Sequence, residues 1–354
     1  MISLGPLMID LTGQSVTPDE REILLSPAVG GVVLFAENYR SPEQLESLTR
    51  EIHALRSPPL LVAVDQEGGR IQRFRNGFTT LPSARSLGAY WQKDRAEARR
   101  LAQASGWVAG LELRSAGIDI CFAPVVDLWQ PGSTVIGDRA FSSNPRAVTE
   151  IALSFVRGLE RGGVRATLKH FPGHGGVPED THQESATDHR PIADLMKRDL
   201  VPYRDLIRRL PETGVMTAHV SFPAVDPYPA SLSAYWIQEV LRKELKLEGA
   251  VISDDLTMHA LDRYGALEDR ARLALHAGSD LILACHARSA LPTLLRSLRD
   301  YHNPVSRLRL MHLHRAQPLL RSNLSQFPDW RKSVALIEAF EASTDLFAGS
   351  NRDG

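Results

Sequence analysis

The sequence predicts a (β/α)8 TIM barrel, a closed parallel sheet surrounded by helices. Short apolar runs alternate with longer amphipathic segments along most of the 354 residues. The apolar runs are nearly free of polar residues, which is typical of strands that are covered on both faces. There are about eight such runs, the strand number of this barrel. These three observations favour one large α/β domain.

The strand and helix candidates follow one another in order. The strands are predicted at residues 4–11, 31–35, 60–64, 118–126, 164–168, 215–219, 250–253 and 280–284. The helices are predicted at residues 18–25, 42–55, 96–116, 145–161, 192–209, 234–245 and 267–277. Several helices open with a cap residue and a proline, as at Ser41-Pro42 and Asn144-Pro145, which is a typical helix start. Repeated strand–helix–strand order predicts a parallel sheet.

A doubly wound sheet is the alternative architecture. It would carry a glycine-rich phosphate loop after its first strand, and Leu11-Thr-Gly-Gln-Ser15 is not such a loop. We therefore assign residues 1–300 to the barrel and residues 301–354 to a C-terminal helical extension with a frayed tail. Residues 306–321 of the extension are basic, and their arginines are interpreted as the solvated face of a packing helix. They are Arg307, Arg309, Arg315 and Arg321.

The composition excludes several kinds of partner. The formal net charge is -1 and 43% of the residues are hydrophobic, which predicts neither a nucleic-acid nor a membrane-surface partner. No apolar run approaches the roughly 18 residues of a membrane helix, and the N-terminus does not resemble a signal peptide. Cys121 and Cys285 lie in apolar runs and are predicted to be reduced core thiols. A cytoplasmic monomer is expected.

Polar residues recur where the predicted strands end. In chain order they are Asp65, Asp127, Lys169 with His170, His219 and Asp254. Residues at the carboxyl ends of barrel strands face the active site, so the set predicts a polar site. Taken singly, Asp127 could instead cap a helix, and His219 could be a satisfied core histidine.

The segment from Lys169 to His182 is the richest in reactive groups. It contains one lysine, His170, His174, His182 and Asp180, and its glycines and prolines predict a shaped loop. Such groups directly after a buried strand would be costly in a core, and therefore indicate a site.

At these positions the chain resembles the family 3 glycoside hydrolases, specifically the single-domain bacterial β-N-acetylhexosaminidases of peptidoglycan recycling. The resemblance covers about the first 300 residues. The matching motifs are AVDQEGGRIQRF (63–74), FAPVVDL (122–128), IGDRAF (136–141), LKHFPGHG (168–175), DTH (180–182), AHV (218–220) and ISDDLTM (252–258). The combination of KHFPGHG with D-x-H is very specific.

The resemblance implies removal of a terminal β-linked N-acetylglucosamine with retention of configuration, without a metal or another cofactor. It implies that Asp254 is the nucleophile and that His182, oriented by Asp180, is the general acid/base. The implied substrate is N-acetylglucosaminyl-1,6-anhydro-N-acetylmuramic acid, with or without a stem peptide. The implied sugar contacts are Asp65, Arg73, Arg139, Lys169 and His170.

The chemistry of the residues agrees with these roles. Retaining hydrolysis needs a carboxylate that attacks the anomeric carbon and an acid that protonates the leaving oxygen. A histidine can act as that acid where a carboxylate holds its tautomer and stabilises its cation.

Three other functions remain open from the sequence. A metal-dependent hydrolase could use His170, His174 and His182 as ligands. A Schiff-base lyase could use Lys169. A non-catalytic barrel could bind a sugar without cleaving it.

Overall fold

Eight parallel strands close into a barrel in the computed structural model, which describes residues 4–181 and 184–349. The described residues form ten strands, of which eight belong to the barrel and two to a separate hairpin. They are β1 (Leu7–Ile9), β2 (Val29–Leu34), β3 (Leu61–Val64), β4 (Gln66–Gly68), β5 (Ile71–Gln72), β6 (Ile120–Cys121), β7 (Arg165–Phe171), β8 (Gly214–Thr217), β9 (Val251–Asp255) and β10 (Leu281–Ala284). Around the barrel the order is β1-β10-β9-β8-β7-β6-β3-β2, and β4 pairs only with β5, in an antiparallel hairpin. The predicted barrel is confirmed.

Helices cover the outside of the barrel. They are α1 (Pro18–Leu24), α2 (Pro42–Ala54), α3 (Ala84–Lys93), α4 (Arg95–Ser115), α5 (Pro145–Gly162), α6 (Ile192–Lys197), α7 (Leu200–Ile207), a π-helix (Tyr235–Glu244), α8 (Leu267–Ala277), α9 (Leu291–Ser297), α10 (Pro304–Met311) and α11 (Pro328–Gly349). Across the part of the chain that the structure describes, none of these helices has the length and apolar character needed to span a membrane.

Alternate residues of each strand serve two separate cores, because successive side chains of a strand point to opposite faces. Met8, Val33 and Leu61 belong to a cluster that fills the barrel interior. Their neighbours Val32 and Val62 belong to the larger cluster between the strands and the helices. Both faces are thus apolar, which explains why the strands read as unbroken hydrophobic runs.

The helix boundaries follow local signals. Thr17 and Glu20 form a capping box at the start of α1, with a proline at the first turn. The Asn144 side chain caps α5, which ends at Gly163 with φ +96. Glycine adopts this left-handed conformation without the steric cost of a Cβ atom.

The single helix predicted for residues 192–209 is wrong. The structure has two helices, α6 and α7, with Arg198 between them at φ -131 and ψ -78. Asp199 follows the break, and its carboxylate accepts hydrogen bonds from Arg190 at 2.8 and 3.2 Å. The break in the helix thus lies next to a tertiary ion pair. The helical periodicity of the sequence does not reveal this ion pair.

The strand predicted for residues 118–126 is much shorter than expected. Regular pairing is confined to Ile120 and Cys121, and Val125 makes one isolated bridge with Lys169. Pro124 has no N–H group to donate to a ladder. The β4–β5 hairpin and α3 were not predicted. Gly88 of α3 lies against the backbone of Phe141.

The interpretation of the C-terminal arginines as a solvated face is wrong for Arg309 and Arg315. Arg309 and Arg315 bind the buried carboxylates of Asp280 and Asp119 at 3.1 and 2.9 Å. Leu310 of α10 joins the core inside the barrel. The extension therefore closes the amino-terminal end of the barrel, while the domain boundary at residue 300 stays a prediction.

Candidate active site

A cavity of about 540 Å³ opens at the carboxyl end of the barrel strands. Its lining includes seven of the eight predicted site residues, namely Asp65, Arg73, Arg139, Lys169, His170, Asp180 and Asp254. The eighth, His182, lies outside the described residues. The structure thus brings together side chains that are spread over almost 200 positions of the sequence, as the barrel prediction requires.

Lys169 lies between two carboxylates. Its Nζ is 2.6 Å from Asp65 Oδ1 and 2.7 Å from Glu67 Oε1, and only 3% of its side chain is exposed. Burial alone would lower the pKa of Lys169, but the two carboxylates outweigh burial and raise it. The lysine is therefore held as a cation, whereas a Schiff-base lyase needs a neutral amine. The lyase alternative does not fit this arrangement.

Arg139 completes the same network. It donates to Glu67 through Nε at 2.9 Å and Nη2 at 2.8 Å, a bidentate pair. Burial alone would raise the pKa of Glu67, but Arg139 and Lys169 hold it well below its usual range. Arg73 reaches Asp65 Oδ2 at 3.4 Å from the other side. Five charged groups at or beside the cavity are thereby fixed relative to one another.

Asp127 holds residues at the end of β7 and directly after it. Its carboxylate accepts from His170 Nδ1 at 2.7 Å and from the His174 backbone N–H at 2.8 Å. Burial would raise the pKa of Asp127, but His170 outweighs it and the pKa is lowered. Asp127 is therefore not a helix cap. It orients the His170 ring toward the cavity.

The end of β9 places two carboxylates beside each other. Asp254 lines the cavity, and its Oδ1 accepts from the Asp255 backbone N–H at 2.9 Å. His219 Nε2 donates to the Asp255 carbonyl at 2.9 Å, and its Nδ1 accepts from Ser231 Oγ at 2.7 Å. His219 is therefore a core histidine with both ring nitrogens hydrogen-bonded, and it supports the backbone next to Asp254.

The loop that carries Asp180 is fixed on both sides. At its start, His174 Nε2 is 3.1 Å from Thr181 Oγ1, and Thr181 O accepts from the Ala260 N–H at 3.2 Å. At its end, Arg190 pairs with Asp188 at 2.6 Å. Asp180 extends from this loop and places its carboxylate in the cavity wall. His182 follows two residues later in the sequence.

Glu67 is the site residue that sequence reasoning missed. It follows the predicted strand 60–64 by three positions and reads as part of a polar loop. The unpredicted hairpin turns it back toward Lys169, since Gly68 and Gly69 adopt φ +100 and +55. The Gly-Gly pair was the available signal, because positive φ at two successive residues indicates a tight bend.

The metal alternative has limited support in the geometry. Within residues 4–181 and 184–349, no group of three histidine, cysteine, aspartate or glutamate side chains is arranged to hold a metal ion. His170 already directs Nδ1 to Asp127, and His174 directs Nε2 to Thr181.

Comparison with known proteins assigns the chain to a class. Residues 7–310 match the glycosyl hydrolase family 3 N-terminal domain, and the chain belongs to this family. A β-hexosaminidase of Alkalilimnicola ehrlichii is 49% identical over 345 residues, which cover 97% of this chain and 98% of the relative. The chain is accordingly a hydrolase of the β-hexosaminidase group, so the non-catalytic alternative does not hold.

Solved structures agree with this assignment. NagZ from Neisseria gonorrhoeae in complex with N-trifluoroacetyl-D-glucosamine superposes with a TM-score of 0.91 at 38% identity, covering 96% of this chain and 98% of NagZ. The same protein in complex with a zinc ion gives a TM-score of 0.89 at 37% identity and the same coverage.

Proposed function

We propose that the chain is a retaining exo-β-N-acetylglucosaminidase that cleaves terminal N-acetylglucosamine from peptidoglycan fragments. The observation that carries this proposal is the cavity at the strand ends, where Asp254 and Asp180 share a lining with Asp65, Lys169 and Arg139. A carboxylate nucleophile on a rigid strand end suits covalent catalysis, because the covalent step requires tight positioning. Binding of a glucosamine derivative by the related NagZ supports the substrate class.

In the proposed mechanism, an Asp254 oxygen attacks the anomeric carbon of the terminal sugar. The bond from that carbon to the leaving oxygen breaks while His182 donates a proton to this oxygen. Water then attacks the glycosyl-enzyme, and the neutral imidazole of His182 accepts the proton of the water. Asp254 departs as a carboxylate, and the β configuration is restored. Asp180 orients the imidazole and stabilises its cation.

The remaining polar residues are proposed to bind the sugar. Lys169 and Arg139 supply donors to hydroxyl groups, and Asp65 supplies an acceptor. Their mutual ion pairs hold them before substrate arrives, which limits the entropy lost on binding. His170 and Arg73 line the same cavity and are assigned to the same task.

The proposed physiological substrate is N-acetylglucosaminyl-1,6-anhydro-N-acetylmuramic acid, free or bearing a stem peptide. The enzyme is proposed to act as a cytoplasmic monomer in cell-wall recycling and to need no metal. The similarity to NagZ over almost the full length of both chains supports this part of the proposal.

The test of this function uses leaving groups of different basicity. A nitrophenolate departs with little protonation, whereas the alkoxide of a disaccharide requires it. Removal of a general acid typically costs about 10²–10⁴-fold. His182→Ala should therefore slow transfer of the sugar to the enzyme far more when the substrate is the disaccharide than when it is the nitrophenyl glycoside. Asp180→Ala should show the same difference between the two substrates with smaller losses of rate.

His189→Ala is the matched control, because His189 is an exposed histidine on the same loop. It should leave both rates unchanged. Equal slowing of both substrates in His182→Ala would show that the histidine positions the substrate and that the acid lies elsewhere.

A further inference from the structure

Two aromatic rings, Phe35 and His286, form one wall of the cavity beside the charged network. Phe35 directly follows β2, and His286 follows β10 by two residues. Their ring centroids are 5.3 Å apart at an interplanar angle of 38°. Since β1 lies between β2 and β10 in the barrel, the two rings meet above the end of β1. Both residues line the cavity.

The His286 side of this wall lies nearer to solvent than the buried part of the charged network does. The side chain of His286 is 64% exposed, whereas those of Lys169 and Glu67 are 3% and 7% exposed. An exo-acting enzyme buries the terminal sugar among its polar groups. The group attached to the anomeric carbon must then extend toward solvent, where His286 stands.

The position of His286 is fixed by its surroundings. Its Nδ1 is 3.3 Å from Oδ2 of the buried Asp10. Arg288 Nη2 donates to the Asp10 carbonyl at 2.9 Å and to Glu20 Oε1 at 3.2 Å. His286 itself has φ +54, a left-handed conformation that few residues other than glycine adopt. A costly backbone conformation held by such contacts is typical of functional positions.

Phe35 also connects this wall to the sugar site. The guanidinium of Arg73 lies 5.4 Å from the centre of the Phe35 ring, within the range of a cation–π contact. Arg73 in turn pairs with Asp65. Phe35 thus contacts a cation of the charged network, while the neighbouring His286 lies at the solvent side of the cavity.

We propose that Phe35 and His286 form a binding site for the leaving group, specifically for a second pyranose ring whose oxygen is linked to the anomeric carbon. The C–H face of a pyranose is apolar and packs on aromatic rings. Asp10 acts as a positioning residue that keeps the His286 ring in place. This inference rests on the proposed glycosidase function and makes the wall a determinant of preference between leaving groups.

The test compares two substrates with the same terminal sugar. N-acetyl-β-glucosaminyl fluoride has a leaving atom without a ring, whereas a β-linked disaccharide of N-acetylglucosamine has a full pyranose. His286→Asn is the variant of choice, because asparagine tolerates the left-handed conformation and removes the ring. We expect kcat/KM for the disaccharide to fall about tenfold, as loss of a ring contact predicts, and kcat/KM for the fluoride to change less than about twofold.

Asp10→Asn should give a smaller loss with the same selectivity, since it weakens the hold on His286 and keeps both rings. His259→Ala is the matched control. His259 is 68% exposed and pairs with Asp262 at 3.0 Å, but it is not part of the cavity lining. It should change neither substrate. If His286→Asn lacks a cooperative melting transition, His286→Gly provides the same comparison, because glycine adopts the left-handed conformation without steric cost and also removes the ring.

The outcomes separate this inference from the function on which it rests. Equal losses on fluoride and disaccharide, or no loss on either, would overturn the leaving-group site while the glycosidase function stands. A wild-type enzyme that hydrolyses neither substrate would overturn the proposed function itself and the site with it.

Discussion

Aspartates stand at both ends of this barrel, in different surroundings. Asp119 and Asp280 directly precede β6 and β10, at the amino-terminal end. Asp280 is fully engaged there, by Arg242 at 2.6 Å, Ser306 at 2.6 Å and Arg309 at 3.1 Å. At the carboxyl end, Asp254 borders a cavity of about 540 Å³. Position along the strand, more than residue type, separates structural carboxylates from those available for chemistry.

Asp254→Asn should have the largest effect on activity and show the difference between the two ends of the barrel most clearly. The amide has nearly the same shape but cannot serve as the nucleophile, so we expect kcat to fall by at least about 10⁴-fold. The melting temperature should stay within a few degrees. Hydrolysis of a nitrophenyl N-acetylglucosaminide and calorimetry on the same sample check both. A large loss of stability would place Asp254 with the structural carboxylates.

Asp280→Ala should show the reverse pattern. It leaves the guanidinium groups of Arg242 and Arg309 without their shared carboxylate, and breaking a buried ion pair costs about 3–5 kcal/mol. Urea denaturation should show that loss, while kcat per folded molecule stays near the wild-type value. Arg309→Gln, which removes one of several partners, should cost less. A normal stability in Asp280→Ala would show that the carboxylate does not hold the extension.

Glu67→Gln should fall between these extremes, because Glu67 forms ion pairs with Arg139 and Lys169, and both of these residues line the cavity. We expect it to lose about 1–3 kcal/mol of stability at pH 7 and to bind substrate more weakly. The folded pKa of Glu67 is lowered by Arg139 and Lys169, which outweigh burial. The ion pairs of Glu67 therefore contribute their full stability at pH values above the pKa of glutamate in the unfolded chain, roughly 4.3. This contribution is lost as the pH falls through the lower pKa of Glu67 in the folded protein.

Urea titrations of wild type and Glu67→Gln from neutral pH into acid measure this dependence. The stability gap between the two proteins should be widest near neutral pH and should narrow below the unfolded pKa. A gap that widens in acid would contradict the charged network.

Chelation should have the smallest effect. The proposed reaction uses an aspartate and a histidine, so extensive treatment with chelator should leave the rate unchanged. NagZ has a structure in complex with a zinc ion, which makes zinc the metal to add back. Loss of activity on chelation with recovery on zinc addition would support the metallohydrolase alternative.

The sequence predicted the barrel because its signals are local. Apolar runs, capped helices and strand-end charges all lie within short windows, and Asp65, Lys169 and Asp254 were found from them. The missed features depend on contacts between distant segments. Arg315 binds Asp119 across 196 positions, and Arg139 binds Glu67 across 72. No local pattern distinguishes such an arginine from one on a solvated helix face.

The roles within the cavity were predicted from motif resemblance, and periodicity alone would not have given them. The structure adds that Asp127 holds His170 and that Glu67 bridges Lys169 and Arg139. These supporting contacts were not predicted, because a carboxylate in a polar loop has many possible partners in the folded chain.

The proposed mechanism depends on covalent attachment of the sugar to Asp254, and a slow fluorosugar substrate can trap this intermediate. Electron withdrawal by fluorine slows both steps, and a good leaving group then allows the glycosyl-enzyme to accumulate. Intact-protein mass spectrometry should show one sugar per chain, and peptide mapping should place it on Asp254. A label on the adjacent Asp255 or on Asp65, or stoichiometric turnover without any label, would show that Asp254 is not the nucleophile.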